Sequence, residues 1–387
     1  MIEFKASELK DVIGKCARFS STTGIIPEFG YLAIRDGFIT AFNGYIGIKY
    51  RNPISISEEF ILPAETFSRS LYKVEDSTVN LIKKKDEVLF KSRRFKAKLP
   101  NPPNEYTIII DVPEDDMKKP IPEGFSDSLN QLLFSVPKDD KAKESLKGIY
   151  YDGEKFYASD NIKLSRFTPN FKLEKDLFIP AKLLEHLIED KPLAYYLSDN
   201  KLWFWFENYV IFGVANKITF PMGKNFFDDK LSKKDESVIV SVDRELLNAA
   251  TERIAIYAEL YMNRMNVVAL LDEIVLYAYA PSGVEAIEVL KATSNITPGD
   301  QAGFVSVDLN FFKEEVERAS DFFFTSNTSD FVYFSNNTGL ESILKPLAVE
   351  DGAEIIERIA NHLATIRSDS DSTGVDSNSG RTESQQA

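Results

Sequence analysis

The side chains that could do chemistry in this chain are few and far apart. The sequence holds two histidines, His186 and His362, and one cysteine, Cys16. Two histidines cannot build a histidine metal cluster within one chain, and one cysteine can form neither an internal disulfide nor a cysteine cluster. His186 lies in a helical pattern, where we expect a surface position. The sequence therefore predicts no metal site, and its cysteine content is typical of a reducing compartment.

Acidic pairs are the remaining candidates for catalysis. Asp115-Asp116 and Asp139-Asp140 could bind a divalent cation, but adjacent acids in a loop are usually only solvated. The sequence contains no phosphate-binding P-loop and no Gly-x-Ser-x-Gly or His-Glu-x-x-His motif. These patterns predict a protein that is not an enzyme and uses no cofactor.

Length and charge limit the function further. The chain has 387 residues, of which 43% are hydrophobic and 27% charged, so it is globular and too long for one hydrophobic core. Its net charge of −14 argues against a surface that binds nucleic acid everywhere, but it leaves room for a local basic patch. We find neither a membrane-length apolar run nor a signal-peptide pattern. The expectation is a cytoplasmic protein that has no membrane partner.

Internal repeats indicate how the chain is organised. Residues 41–44 (Ala-Phe-Asn-Gly) resemble residues 158–161 (Ala-Ser-Asp-Asn), and residues 61–64 (Ile-Leu-Pro-Ala) resemble residues 178–181 (Phe-Ile-Pro-Ala) at the same separation. A looser third copy includes residues 278–281. The period is far longer than that of solenoid repeats, so the pattern predicts repeated domains.

Each repeat is predicted to contain the same elements in the same order: an amphipathic helix, a hairpin, a strand that runs into a second helix, and further strands. This is an α+β class, three tandem copies of a domain in which two helices lie on antiparallel sheet. The predicted first helices are 7–19, 126–136 and 243–257, and the strand-helix segments are 60–74, 177–189 and 303–319. The predicted domains are 1–112, 121–230 and 237–347, with connectors at 111–124 and 227–236.

The last segment, 348–387, reads as a C-terminal helix and a disordered acidic tail. Apolar residues recur at helical spacing, so we predict a helix over 353–367. The polar residues that follow have too little apolar surface to fold alone. The helix could pack on the third repeat, or it could lie near a binding groove and compete with partners. The periodic residues are Ile355, Ile356, Ile359, Leu363 and Ile366.

The first helix shows how its faces divide. One stripe is apolar, from Leu9 to Phe19, and the opposite stripe carries the cations Lys10, Lys15 and Arg18. A solvated helix face is the ordinary meaning of such charges, and attraction of a polyanion is the alternative.

The order of the repeats and their short motifs resembles the bacterial-type DNA polymerase sliding clamp, the β-clamp or DNA polymerase III beta subunit family. The resemblance covers residues 1 to about 347. A family stretch, Thr-Asp-Gly-His-Arg-Leu, appears in degraded form at residues 159–164, which would suit a divergent, viral member. The motifs that carry the resemblance are 27–32 (Pro-Glu-Phe-Gly-Tyr-Leu), 146–149 (Leu-Lys-Gly-Ile), 179–182 (Ile-Pro-Ala-Lys), 220–221 (Phe-Pro) and 344–347 (Leu-Lys-Pro-Leu).

The resemblance implies a ring formed by a head-to-tail homodimer, which encircles duplex DNA without sequence preference and acts as a polymerase processivity factor. It also implies that DNA polymerase and clamp loader bind a groove through short hydrophobic peptides. Two other readings stay open. One is a DNA-tracking transcription coactivator whose partners are RNA polymerase accessory factors, and the other is a non-enzymatic β-rich virion or scaffold protein. A monomeric array that binds proteins but not DNA is a further alternative.

The resemblance also assigns residues, although core packing or a solvated surface is the alternative at each place. The residues expected to face DNA are Lys10, Lys15, Arg18, Lys138, Lys141 and Lys143. The residues expected in the peptide groove are Leu146, Leu164, Pro221, Phe226, Ile343, Pro346 and Leu347. The residues expected at the dimer seam are Tyr106, Ile256 and Tyr257.

Overall fold

The computed structural model of the protein describes most of the chain, and it separates into two compact units. Unit 1 comprises residues 1–133, 143–156 and 169–219, and unit 2 comprises residues 134–142, 157–168 and 220–387. The described residues are 1–21, 26–74, 78–102, 109–139, 141–198, 201–214, 224–298, 302–319, 321–326, 330–348 and 352–373.

The elements follow one another as the repeats predict. The helices are α1 (Ala6–Ala17), α2 (Ala64–Lys73), α3 (Phe125–Leu132), α4 (Ala181–Glu189), α5 (Lys224–Leu231), α6 (Arg244–Ala258), α7 (Leu309–Val316) and α8 (Gly352–Thr373). The strands are β1 (Ile2–Lys5), β2 (Tyr31–Arg35), β3 (Phe38–Phe42), β4 (Ile46–Arg51), β5 (Phe60–Pro63), β6 (Thr78–Lys83), β7 (Glu87–Lys91), β8 (Lys96–Pro100), β9 (Lys119–Pro120), β10 (Gly148–Tyr151), β11 (Phe156–Ser159), β12 (Lys163–Phe167), β13 (Leu177–Pro180), β14 (Ala194–Leu197), β15 (Lys201–Trp205), β16 (Tyr209–Val214), β17 (Val238–Val242), β18 (Arg264–Ala269), β19 (Glu273–Tyr279), β20 (Glu285–Ser294), β21 (Gly303–Asp308), β22 (Asp321–Phe324), β23 (Val332–Ser335) and β24 (Leu340–Leu344).

The same strand-to-helix junction occurs three times. Pro63 and Pro180 are the N-cap residues of α2 and α4, and the proline ring holds φ at −62° and −59° at these places. Asp308 has the same position before α7, and its carboxylate accepts a hydrogen bond from the Asn310 amide. The repeated junction confirms the predicted element order.

Helix pairs also repeat. Helices α1 and α2 pack together, as do α3 and α4 in unit 1 and α6 and α7 in unit 2. The buried positions of α1 are Ala6, Leu9, Ile13 and Cys16, and the last three are members of the predicted apolar stripe. The result is an α+β protein in which helix pairs lie on antiparallel sheet.

In unit 1, strands from two repeats share one sheet. Its eight strands run in the order β5-β2-β3-β4-β16-β15-β14-β9. The antiparallel pair of β4 and β16, with Ile48 opposite Ile211 and Tyr50 opposite Tyr209, joins the first repeat to the second. A separate four-stranded sheet has the order β1-β6-β7-β8, so β8 is an edge strand among the strands that the structure describes.

In unit 2, a second junction of the same kind joins the second repeat to the third. Strand β12 pairs with β24 in antiparallel register, which sets Leu164 opposite Ile343 and Arg166 opposite Glu341. From β24, the strand order of this sheet continues through β23, β22, β17, β20, β19, β18 and β21. Arg166 donates two hydrogen bonds to Glu341, at 2.6 and 2.9 Å, across this junction.

Helix α8 adds a layer to the third repeat. Ile355, Ile359 and Leu363 are buried against a cluster that includes Val268 and Tyr277. The alternate residues of the same strands, such as Val267 and Leu276, belong to the core beneath α6 and α7. Since successive side chains of a strand point to opposite faces, helices cover both faces of this part of the sheet.

The C-terminal helix is longer than predicted and takes the first of its two expected positions, packed on the third repeat. A polar contact supports this position, because the ring of His362 on α8 lies 2.7 Å from the carboxylate of Glu285 on β20. Ile366 and the predicted disordered tail lie outside the described side chains. No helix in the described part of the chain is long and apolar enough to span a membrane.

The predicted connector at 227–236 was wrong in part. Residues 224–231 form α5, in which Phe227 is fully buried and stacks under the guanidinium of Arg166. The acidic and basic residues around Phe227 hid the helical spacing.

Because both faces of the sheet in the third repeat are buried, helix α8 should be needed for stability. Ile359→Asp would bury an unpaired carboxylate and remove apolar contacts, so it should lower the free energy of unfolding by about 3 kcal/mol or more. Ala360→Asp, at the neighbouring exposed position, is the matched control and should change it by less than about 0.5 kcal/mol. Scanning calorimetry measures both, and equal effects would contradict the packing of α8.

Candidate functional site

A pocket forms in unit 2 where β12 and β24 meet. Its volume is about 290 Å³. Leu164 and Ile343 form its apolar floor as a direct cross-strand pair, and both are almost completely buried. Phe226, which is 40% exposed, reaches it from α5. The other lining residues are Ser159, Asn161, Ile162, Lys163, Lys230, Asp330 and Lys345.

The turn between β11 and β12 shapes one rim of the pocket. Asn161 has φ of 76°, a left-handed conformation that asparagine tolerates better than most residues. The Asp160 carboxylate accepts hydrogen bonds from the amides of Ile162 and Lys163, at 3.0 and 2.8 Å. This closed turn leaves Ile162 40% exposed at the rim, and its carbonyl accepts a hydrogen bond from the Lys345 amide.

Lysines surround the apolar floor. Lys230 and Lys233 both donate to the carboxylate of Asp330, at 2.6 and 2.8 Å. Although burial opposes it, these two hydrogen bonds hold the pKa of Asp330 below its ordinary value. The side chain of Lys345 is exposed and makes no ion pair within the described part of the chain. The pocket is therefore apolar at its floor and cationic at its rim.

A second, more polar pocket lies on the other side of the same turn. It has a volume of about 450 Å³ and shares Asn161, Ile162 and Lys163 with the first. Its charges are balanced, because three lysines face three carboxylates. The remaining lining residues are Phe134, Val136, Pro137, Lys138, Asp139, Lys141, Ala142, Asp160, Phe311 and Glu314.

Lys163 is the buried charge between the two pockets. Its ammonium group contacts Glu314, and it lies 4.9 Å from the ring centre of Phe134. Next to it on α7, the fully buried Glu315 accepts a hydrogen bond from Ser342, the neighbour of Ile343 on β24. Burial raises the pKa of Glu315 to about 7, and the hydrogen bond from Ser342 and the charge of Lys163 only partly oppose this.

The structure brings together three of the seven residues predicted for the groove, namely Leu164, Phe226 and Ile343. Pro346 is buried, and the Leu347 amide donates to the Ser306 carbonyl at 2.9 Å, so both follow β24 without lining the pocket. Leu146 is completely buried in unit 1, and Pro221 lies outside the described residues.

Sequence reasoning missed Lys230, Asp330 and Lys345. Phe226 and Lys230 are four residues apart on α5, so the spacing that places both side chains at one pocket was present in the sequence. Because residues 227–236 were predicted to be a connector, this helical spacing was not recognised.

The cations of α1 are engaged within unit 1. Lys15 donates to Asp190 at 2.8 Å, and Arg18 donates to Glu185 at 2.6 Å. Although burial opposes it, the hydrogen bonds from Lys15 and Tyr209 lower the pKa of Asp190. Lys10 lies 4.7 Å from the ring centre of Tyr72. The cationic face of α1 is therefore partly neutralised by Glu185 of α4 and by Asp190, the residue that caps the C-terminus of α4.

The loop lysines are at the surface. Lys138 has 86% of its side chain exposed and lies 3.9 Å from Glu314, and Lys141 lines the second pocket. Lys143 is exposed in unit 1. Their role in DNA contact stays a prediction.

Two residues predicted at the dimer seam belong to an exposed apolar face of α6. Ile256 is 66% exposed and Tyr257 is 36% exposed, Leu246 of the same helix is 53% exposed, and Leu260, two residues after the helix ends, is 60% exposed. Tyr106 lies outside the described residues.

The predicted surface position of His186 was wrong. Its ring is 3% exposed and stacks on Phe19 with ring centres 4.8 Å apart. Burial lowers the pKa of His186, with the cations Lys15 and Arg18 contributing in the same direction. Among the described residues, no group of three or more His, Cys, Asp or Glu side chains could hold a metal ion.

Comparison with known proteins identifies the fold through solved structures. No protein-family model matches the chain, and no curated protein matches it. The DNA polymerase III beta subunit of Thermotoga maritima is 13% identical and covers 90% of this chain and 99% of its own, with a TM-score of 0.74. The sliding clamp of Bartonella birtlesii, solved with griselimycin, is 15% identical with 90% and 99% covered and a TM-score of 0.73. The beta subunit of Pseudomonas aeruginosa is 14% identical, with 89% and 99% covered and a TM-score of 0.71.

The chain has the fold of the DNA sliding clamps. In particular, it shares the fold of the bacterial DNA polymerase III beta subunits, at 13% to 14% sequence identity. The resemblance read from the sequence motifs is confirmed at the level of the fold.

The buried carboxyl beneath the pocket predicts a pH-dependent stability. The pKa of Glu315 in the folded protein lies above its ordinary value of 4.5. The protonated carboxyl therefore contributes its full stabilisation below pH 4.5, and this stabilisation is lost as the pH rises through about 7. Glutamine does not ionise, so the change in the free energy of unfolding caused by Glu315→Gln should be more favourable at pH 8 than at pH 5 by about 2 kcal/mol. Urea unfolding at the two pH values measures the difference. Glu317→Gln, an exposed carboxylate on the same helix turn, is the control, and a pH-independent effect of Glu315→Gln would refute the argument.

Proposed function

We propose that this chain is a DNA sliding clamp, a polymerase processivity factor that encircles duplex DNA and tethers client proteins through the pocket at the β12–β24 junction. The observation that carries the proposal is the pairing of the sliding-clamp fold with an open apolar pocket at the Leu164–Ile343 pair. A processivity factor needs no catalytic group, which suits the sparse chemistry of the sequence. Polymerase and clamp-loader peptides with large apolar side chains are the proposed occupants.

The exposed apolar face of α6 supports a homodimer. Ile256 and Tyr257 lie on the solvent side of α6, whose other side is core, and the exposed Leu260 follows two residues after the helix ends. A helix that is apolar on both sides usually contacts a partner. A second copy of the chain is the proposed partner, because three repeats per subunit leave the first and third repeats to be joined.

Open strand edges support the same seam. Strand β8 is an edge strand that carries Lys96 and Lys98, and residues 285–291 of β20 have β19 as their only partner strand within the described part of the chain. The β20 segment carries Glu285 and Glu288. Each internal junction joins the third hairpin strand of one repeat to the last strand of the next, so β20 of one subunit is the proposed partner of β8 in the other.

Topological linkage to DNA explains why the cations of α1 need not be free. A ring around DNA requires only weak, sequence-independent phosphate contacts, and weak contacts allow sliding. Arg18 and Glu185 are each 56% exposed, so their ion pair stabilises the fold by less than about 1 kcal/mol and can exchange for a phosphate.

The seam predicts a dimer that charge can dissociate. Ile256→Asp should convert a species of about twice 43.8 kDa into monomers of 43.8 kDa at micromolar concentration, because a desolvated carboxylate opposes the contact. Light scattering after gel filtration gives the mass. Leu193→Asp, an equally exposed leucine of unit 1 at 64%, should leave the dimer intact. A monomeric wild type would overturn the seam and the ring.

The DNA interface predicts that removing an acid of α4 increases DNA retention. Subunits would be diluted to favour monomers, mixed with nicked circular plasmid and concentrated, so that rings can close on DNA. Glu185→Gln frees Arg18 and should raise retention about twofold with a steeper salt dependence, whereas Lys10→Glu should lower it. Glu189→Gln, exposed on the same helix, controls for net charge.

Linearising the plasmid tests the topology. Retention should disappear when a restriction enzyme opens the circle, since a ring slides off free ends. Equal retention on linear and circular DNA would mean that the protein binds DNA without encircling it.

A further inference from the structure

Helix α8 runs across the strands of the third repeat towards an open edge of the sheet. Just before the helix begins, the Leu347 amide donates to a carbonyl of β21 at 2.9 Å. Further along, the guanidinium of Arg358 lies 5.6 Å from the ring centre of Tyr279 on β19. His362, four residues later, lies 2.7 Å from Glu285 on β20. The helix therefore advances by about one strand in each turn, in the direction of β20.

The helix continues past this edge. After His362 it extends to Thr373, which is about 16 Å of helix at a rise of about 1.5 Å per residue. Residues 285–291 of β20 have no strand partner other than β19 within the described part of the chain. The residues of α8 that follow the buried Leu363, residues 364–373, are therefore called the projecting end.

The hairpin of β7 and β8 in the first repeat carries uncompensated positive charge. Lys91 and Lys96 are a direct cross-strand pair, and like charges in that arrangement destabilise a sheet. Lys98 pairs with Glu87 at 3.3 Å. The cations of the hairpin that make no ion pair within the described part of the chain are Lys91, Arg93, Arg94 and Lys96. In a chain of net charge −14, four cations within residues 91–96 indicate a surface for an acidic partner.

The paired lysines of this hairpin point away from the helices. Phe90 is fully buried and contacts Phe67 of α2, with ring centres 6.2 Å apart. Since side chains alternate along a strand, Lys91 and its partner Lys96 lie on the opposite, outer face of the sheet. Helices α1 and α2 pack together, so these lysines also face away from the proposed DNA interface at α1. A protein partner therefore fits them better than DNA does.

The internal junction of unit 1 shows how two repeats place their faces when they share a sheet. At the β4–β16 junction, Arg18 of α1 donates to Glu185 of α4 at 2.6 Å, so the helices of both repeats lie on the same face. The same rule at the proposed β20–β8 seam sets α8 and the paired lysines of the partner subunit on one common outer face. At one strand per helical turn, the partner's β8 would follow His362 by about four residues and its β7 by about eight.

We propose, on the basis of the proposed seam, that α8 is part of the dimer interface and that its projecting end lies on the outer face of β8 and β7 in the partner subunit. Residues 368–373 contain Asp369 and Asp371 and no basic residue, so their charge is complementary to that of the hairpin. Both acids fall close to the eight-residue distance at which the partner's β7 is expected. The residues that follow the third repeat thereby help to hold two subunits together.

Two truncations separate the projecting end from the tail. Removing residues 366–387 keeps the buried Ile355, Ile359 and Leu363 and should raise the dissociation constant of the dimer about tenfold. Removing residues 374–387 alone should change the constant by less than about twofold. Dilution series in an analytical ultracentrifuge with fluorescence detection measure both constants. Equal effects of the two truncations would overturn the assignment to the projecting end.

Charge reversal tests the contact without shortening the helix. Lys91→Glu should weaken the dimer about fivefold in the full-length chain, and by less than about twofold once residues 366–387 are removed. Asp369→Lys combined with Asp371→Lys should weaken it similarly, and adding Lys91→Glu to that pair should restore part of the affinity. Lys85→Glu, the same change at an exposed lysine in the turn before β7, is the matched control and should leave the dimer unchanged. These differences should shrink in 0.5 M salt because the charges are screened.

The wild-type protein separates failure of this inference from failure of the proposed function. A monomeric wild type at micromolar concentration would overturn the β20–β8 seam and the α8 contact with it. A wild-type dimer whose dissociation constant ignores both removal of residues 366–387 and Lys91→Glu would refute the role of α8 and leave the ring standing. If Lys91→Glu spares the dimer but lowers retention on circular DNA, the hairpin binds DNA and the inference is wrong.

Discussion

Antiparallel pairing between strands of different repeats is the interaction on which the rest of the structure depends. In unit 1, β4 of the first repeat pairs with β16 of the second, and in unit 2, β12 of the second pairs with β24 of the third. Backbone hydrogen bonds carry both junctions, and these bonds constrain side-chain identity far less than core packing does. This explains how a chain at 13% to 15% identity keeps the fold of the DNA polymerase III beta subunit over about nine-tenths of its length. It also explains why no family model of sequence matches.

The candidate site is a direct product of one such junction. The register that joins the repeats places Leu164 opposite Ile343, and this pair becomes the floor of the pocket. Helix α5 then adds Phe226 and Lys230 at one helical turn's spacing. Since the floor is tied to the joint between repeats, the pocket cannot be lost without disturbing the sheet. Lys345 at its rim is exposed and is under no such constraint.

Buried polar groups beneath the pocket show a second consequence of the junction. Glu315 and Lys163 lie where helix α7 and strand β12 meet the joined sheet, and their neighbours are Glu314 and Ser342. The position forces Glu315 out of water, so its proton is retained to higher pH than usual. Helix α8, on the far face of the same sheet, buries apolar side chains that would otherwise face solvent. In the third repeat, the sheet is therefore covered by helices on both faces.

The sequence by itself determined the class of elements, their order in three copies and the existence of the C-terminal helix, because helical and strand periodicities and the Pro63 and Pro180 junctions are local signals. It also predicted Leu164, Phe226 and Ile343 as groove residues through family resemblance. It could not show that Lys15 and Arg18 meet Asp190 and Glu185, that His186 is buried against Phe19, or that Lys230, Asp330 and Lys345 border the pocket. These contacts join residues far apart in the chain, in most cases by a hundred positions or more, so the tertiary structure alone decided them. The physical reason is that periodicity reports which side of an element faces a core, whereas the partner across that core is set by how the strands of different repeats pair.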